Sequence, residues 1–114
     1  MMTYEFDRKN AVIHSHASGI LVASDPIRYF ARIDEDPAFK APAKEFIYFV
    51  GLEDIAWTYS EVFKIRQAFE LHNHGQKISS GKFIVDSDLS FGMARMVITI
   101  FEGVYEKFTI ERRG

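Results

Sequence analysis

Glu45-Phe46-Ile47-Tyr48-Phe49-Val50 is the stretch on which the fold turns. Five consecutive aromatic or aliphatic residues leave no side for water, which is too apolar for an edge strand and suits a strand buried on both faces at the centre of a sheet. Towards the N-terminus, Asp34 to Pro42 carries two prolines and reads as an ordered loop. Before it, Ser24-Asp25-Pro26 starts a helix, because a short polar oxygen accepts free first-turn N–H groups and proline's missing N–H costs nothing there. Ile27, Phe30 and Ala31 are expected to face inward. Tyr4 and Phe6 alternate with Glu5 and Asp7, Arg8-Lys9-Asn10 turns, and Ala11 to Ala17 returns, which is a β-hairpin.

Towards the C-terminus, Thr58 followed by Glu61 is a capping box and predicts a helix from about Ser60 to His72, with Val62, Ile65 and Phe69 as its inner stripe. Asn73-His74-Gly75 stops it. Lys82 to Asp86 reads as a second short buried strand, Asp88 or Ser90 caps a third helix running to about Gly103, and Glu106 to Glu111 alternates as a closing strand. The order β-β-α-β-α-β-α-β gives an α/β domain over residues 1–114, with right-handed crossovers and a mostly parallel sheet covered by helices.

The 114 residues fit a single core, since one core serves about 100 to 150 residues. Fourteen Lys and Arg against sixteen Asp and Glu leave a net charge of −2, so the bulk positive field that a nucleic-acid partner requires is missing. Zero cysteines exclude a disulfide framework, a thiolate nucleophile and Cys-type metal sites. The opening Met-Met-Thr-Tyr-Glu-Phe-Asp lacks the profile of a secretory signal, and no apolar run approaches the roughly 20 residues of a membrane span. A cytoplasmic location is the expectation.

Ligands of open α/β sheets sit at the carboxyl ends of the strands. That edge is expected to carry Ser24, Asp25, Glu53, Asp54, Asp86 and Asp88, a set that repels phosphate and serves a divalent cation or, more simply, helix caps and turns. No glycine-rich nucleotide loop is present, and no cofactor is implied. His14 and His16 share one face of a strand while His72 and His74 end a helix, and they make a zinc site only if the two pairs meet. Ser15 points to the opposite face from its flanking histidines, so no nucleophile-base pair forms there. The third helix shows a wide apolar arc that includes Met93, Met96, Val97, Ile100, Phe101 and Val104, more surface than one sheet face needs. Part of it is therefore expected to meet a neighbouring helix, a second copy, an apolar ligand or a membrane.

Val85-Asp86-Ser87-Asp88-Leu89-Ser90-Phe91-Gly92-Met93-Ala94-Arg95-Met96, following a β-α-β unit that contains Gly51-Leu52-Glu53-Asp54-Ile55, resembles the SpoIIAA-like family of small bacterial proteins, also described as STAS/SEC14-like. The resemblance implies a β-hairpin leading into a βα superhelix, shared with anti-sigma factor antagonists and with lipid-carrying CRAL-TRIO domains. Family members continue into a final helix after the last strand, which this chain does not reach, and the expectation is uncovered apolar surface near Phe108 and Ile110 that favours a homodimer. In the antagonist branch a serine at the start of the helix after the central strand, within an Asp-Ser pair, is phosphorylated. Here Ser60 falls in that slot and Tyr59 replaces the aspartate. A phosphate there would be favoured by free N–H groups and the helix dipole. The expected function is a non-enzymatic regulatory or protein-interaction module, with an apolar-ligand carrier or peripheral membrane protein as the alternative. The two differ in what lies beside the third helix: a deep apolar cavity for a carrier, a flat exposed apolar patch for protein partners.

Overall fold

The computed structural model describes residues 1–101, 103 and 107–113. Its elements are β1 (Met2–Asp7), β2 (Val12–Ala17), β3 (Gly19–Val22), α1 (Ser24–Glu35), β4 (Ala43–Phe49), β5 (Leu52–Ala56), α2 (Tyr59–Leu71), α3 (His74–Lys77), β6 (Ile78–Val85), α4 (Asp88–Ile100) and β7 (Phe108–Arg112). Five strands form one sheet in the order β1-β2-β4-β6-β7, antiparallel at the β1–β2 hairpin and parallel elsewhere. β4, which carries the apolar run, is the middle strand. Its inward residues align across the sheet, Ser15 opposite Ile47 and Ile47 opposite Phe83.

Ile13, Ile47, Phe83 and Val85 pack from the sheet against Phe30 and Ile33 of α1, Ile65 and Phe69 of α2, and Ala94 and Val97 of α4. Burying each such side chain contributes about 1.5–3 kcal/mol, which makes this layer the main source of stability. On the other face β4 is less dry than its sequence suggests. Phe46 and Tyr48 stay half-buried, because their cover is a set of neighbouring polar rings and a cation: His16 stacks on Tyr48 at 4.7 Å between centroids and Lys82 Nζ sits 4.9 Å from the Phe46 centroid.

Two strands go beyond the expected order. β3 and β5 pair in parallel as a separate small sheet. Both follow a bend at a glycine with positive φ, Gly19 at 67° and Gly51 at 73°, a conformation that a side chain at Cβ resists. Gly19 N–H donates to Gly51 O at 3.3 Å. The already paired β2 and β4 thus turn together and pair again as β3 and β5.

The helix starts also differ in detail. Ser24 and Asp25 do not cap α1, whose N-cap is Ala23 without a side-chain bond. Asp25 instead accepts from Val22 N–H at 2.9 Å, tying the helix to the end of β3. The buried line of α1 is Pro26, Tyr29, Phe30 and Ile33, while Ile27 and Ala31 are only half-buried. The cap of α4 is Ser87, not Asp88 or Ser90: its Oγ accepts from Ser90 N–H at 3.1 Å, and Ser90 Oγ accepts from Ser87 N–H at 3.1 Å. α2 stops at Asn73, which takes the left-handed conformation at φ 50°, tolerated by asparagine at this position. The chain then makes the short turn α3 and enters β6 four residues earlier than the sequence pattern indicates. No helix among the described residues is long and apolar enough to cross a membrane.

Candidate functional site

The start of α2 is built as the sequence pattern predicts. Thr58 Oγ1 accepts from Glu61 N–H at 3.3 Å and Glu61 Oε1 accepts from Thr58 N–H at 2.9 Å. The Thr58 N–H is the main reason that the Glu61 carboxyl is held below the usual carboxylate range. With the cap supplied by Thr58, Ser60 is left as an exposed first-turn residue whose Oγ lies 3.3 Å from Thr58 Oγ1. The hydroxyl is accessible, and the first-turn N–H groups create a field favourable to an anion there.

Beside Ser60 an apolar surface begins at Tyr59. Trp57, Tyr59, Val62, Phe63, Arg66 and Ile100 border a shallow depression between α2 and the end of α4. Tyr59 is 96% exposed and Phe63 is 63% exposed, so both rings stand in water from one end of one helix. Arg66 Nη1 donates to Ile100 O at 3.2 Å and closes one side of the depression.

The α4 set divides. Met93, Val97 and Phe101 are buried in the core against the sheet and, contrary to the expectation from the sequence, form no partner surface: the wide arc is absorbed because α4 contacts β5, β6 and β7 at once. Met96 is 39% exposed and Ile100 half-buried beside Phe63. Val104 lies outside the described residues. The expected exposed stripe of α4 thus shrinks to Met96 and Ile100, and α2 supplies the larger share of the apolar surface. Phe108 and Ile110 are half-buried.

The histidine pairs do not meet. His14 and His16 lie on the outer sheet face with Tyr48, whose hydroxyl is 3.0 Å from His14 Nδ1. His72 is 2.7 Å from Asp34, and His74 packs into the core. The acidic residues expected at the strand ends are spent separately. Asp25 bonds the β3 backbone, Asp86 accepts from Ser90, Asp88 pairs with Arg112 at 2.5 Å, and Glu53 and Asp54 lie within β5. Among the described residues no three His, Cys, Asp or Glu side chains gather to hold a metal ion.

What the sequence reading missed is a chain of polar groups inside the core. Ser15 Oγ is 2.5 Å from the Tyr29 hydroxyl, Tyr29 donates to Glu45 Oε2, and His74 Nε2 is 2.7 Å from the same oxygen. Glu45 is 0% exposed and His74 1%. Two signals pointed to it: a glutamate at the inward register of the most apolar strand, and a serine whose side chain faces away from its flanking histidines into the core.

No family model matches the sequence, and no curated protein matches it. Among solved structures, the chain is similar to an uncharacterized protein of the DUF3478 family from Shewanella loihica PV-4, described as having a SpoIIAA-like fold, with a TM-score of 0.60 over 97% of this chain and 84% of that one. The fold is SpoIIAA-like. At 12% identity the likeness reaches the SpoIIAA-like architecture and not the side chains of either surface described above, so function has to be argued from the site.

Proposed function

We propose that this SpoIIAA-like domain is a cytoplasmic, non-enzymatic interaction module that docks a protein partner, in the first instance a second copy of itself, through the aromatic surface at the start of α2. The observation that carries this reading is the exposure of Tyr59 and Phe63 side by side. Burying one such ring contributes about 1.5–3 kcal/mol, and aromatic and arginine side chains are the usual anchors of protein interfaces, a role that Arg66 fits at the rim. Ser60 follows Tyr59 at the edge of this surface. A phosphate there adds about −1.5 to −2 charges at neutral pH, which the helix N-terminus tolerates and a dry interface does not. Phosphorylation is therefore the off-state of docking.

The carrier alternative lacks comparable support. The apolar cavity beneath α4, lined by Phe30, Ile47, Val97 and Phe101 among others, holds about 30 Å³, about one water's share of liquid volume and far short of a lipid chain.

Sedimentation at about 100 μM, well above the dissociation constants of ordinary weak complexes, tests the reading. The expected result is a dimer for the wild-type chain and a monomer for Phe63→Ser and for Ser60→Glu. A wild-type chain that stays monomeric, or a dimer that both substitutions leave intact, refutes docking through this surface.

A further inference from the structure

One line of α2 is left over by the packing of the domain. Ile65 and Phe69 turn into the core, while Tyr59, Phe63, Arg66 and Glu70, spaced four, three and four residues apart, are all exposed. Residues at that spacing share one face of a helix, here a stripe about 16 Å long at about 1.5 Å per residue. Aromatic rings occupy its N-terminal half and charges its C-terminal half. Neither charge is spent on an opposite one: among the described residues Arg66 and Glu70 form no ion pair. Arg66 gives one N–H to Ile100 O and keeps others, since a guanidinium carries several.

Such a stripe is complementary to itself only when reversed. Turned end for end about a two-fold axis between Phe63 and Arg66, it sets Phe63 level with Arg66 of the partner subunit and Tyr59 level with Glu70 of the partner subunit. The symmetry repeats both contacts. A guanidinium over an aromatic face is attractive, and a tyrosine hydroxyl donates to a carboxylate. Two helices aligned in the same direction would instead set Arg66 against the partner's Arg66 and Glu70 against the partner's Glu70, like charges that repel. Because the reversed contact uses the same patch on both copies, it closes at two and leaves no open end for a fibre.

We propose that two copies of this chain dock through α2 in antiparallel register, Phe63 on Arg66 of the partner subunit and Tyr59 on Glu70 of the partner subunit. This pairing rests on self-docking through the α2 surface and fixes its direction and its contacts.

The test is sedimentation of the full chain with a charge placed on one side of a contact and then answered on the other. Tyr59→Glu sets a carboxylate against Glu70 of the partner subunit twice in each dimer and is expected to raise the dimer Kd about tenfold or more. Tyr59→Glu combined with Glu70→Lys turns the repulsion into an ion pair and is expected to bring the Kd back to within about threefold of the wild type. Tyr59→Glu combined with Glu53→Lys has the same net charge, but its lysine lies on β5, off the stripe, and it is expected to stay weak. All three positions are exposed, so the variants are expected to fold as the wild type does. A wild-type chain that is monomeric at about 100 μM overturns the docking reading and the pairing with it. A wild-type dimer overturns the antiparallel pairing alone if Tyr59→Glu leaves it intact, if Glu70→Lys fails to restore it, or if Glu53→Lys restores it equally well.

Discussion

At Glu45 the chain keeps a carboxyl group out of water inside its central strand, whereas at Tyr59 it keeps an aromatic ring almost wholly in water on a helix. Each reverses the usual partition of polar and apolar groups, and each is held there by sound local structure. The ladder of β4 fixes the inward register of Glu45, and the Thr58 capping box fixes the outward position of Tyr59. Natural chains break local rules mainly where function requires it. The difference lies in what removal does. The buried carboxyl group is tied to the stability of the fold, while the exposed ring is 96% accessible, so substitutions separate the two regions.

The largest effect is expected at Glu45. Glu45→Ala leaves the buried His74 without its carboxyl partner, and breaking a buried pair from one side costs about 3–5 kcal/mol, a large part of the about 5–15 kcal/mol that holds a domain folded. Urea unfolding measures it. Glu45→Met combined with His74→Phe is expected to recover most of that loss, because apolar residues of similar volume replace both partners; a double variant as unstable as the sum of the singles breaks the account. Next comes Gly81. A methyl group there would overlap the Glu45 carbonyl oxygen and the Phe108 ring, so Gly81→Ala is expected to lose about 1–3 kcal/mol, the usual range for overpacking. A neutral result by thermal unfolding would show that the packing of Phe108 over Gly81 is looser than its geometry.

Tyr4 sharpens the comparison as an intermediate case, a half-buried hydroxyl that donates to Asp36 at 2.8 Å. Burial, followed by the bond to Asp36, pushes its pKa from 10.0 up to about 12. A raised folded value means that the contribution is intact below pH 10 and lost as pH climbs towards 12. Asp36 is held below the usual carboxylate range chiefly by the same hydroxyl, so its contribution is present at neutral pH and lost as pH falls through that lowered value. Tyr4→Phe is expected to flatten both limbs of the stability-pH curve, and unchanged limbs would assign them to other groups. The smallest effect is expected at the α2 surface. Tyr59→Ser and Ser60→Ala should each stay within about 0.5 kcal/mol of the wild-type stability, as exposed substitutions do. Yet Tyr59→Ser should lose self-association, and Ser60→Ala should lose any kinase-dependent mobility shift. A shift that persists in Ser60→Ala places the modification elsewhere.

The hairpin, the central place of β4, the α2 capping box and the three long helices were legible because each is written in a local pattern: alternation, an apolar run, or a cap three residues from its partner. β3 and β5 were not, since Ile20-Leu21-Val22 and Leu52 to Ala56 are too short to show a period and depend on a shared bend at Gly19 and Gly51. The α4 surface was overestimated for a related reason. Periodicity reports which residues share a helix face but not how many elements that face meets, and Met93, Val97 and Phe101 meet several. The polar chain from Ser15 to His74 joins four elements, and no spacing rule links them.

The tie between Glu45 and His74 spans 29 residues of chain, and it sets an order of events during synthesis. When β4 leaves the ribosome it has β2 to pair with, but the imidazole that shields its carboxylate and the strand β6 that flanks it have yet to be made. Until then Glu45 is best left hydrated, which keeps the inner surface of this apolar strand wet. The same carboxylate that sits at the heart of the finished domain thus acts, in the unfinished one, as a guard against premature burial.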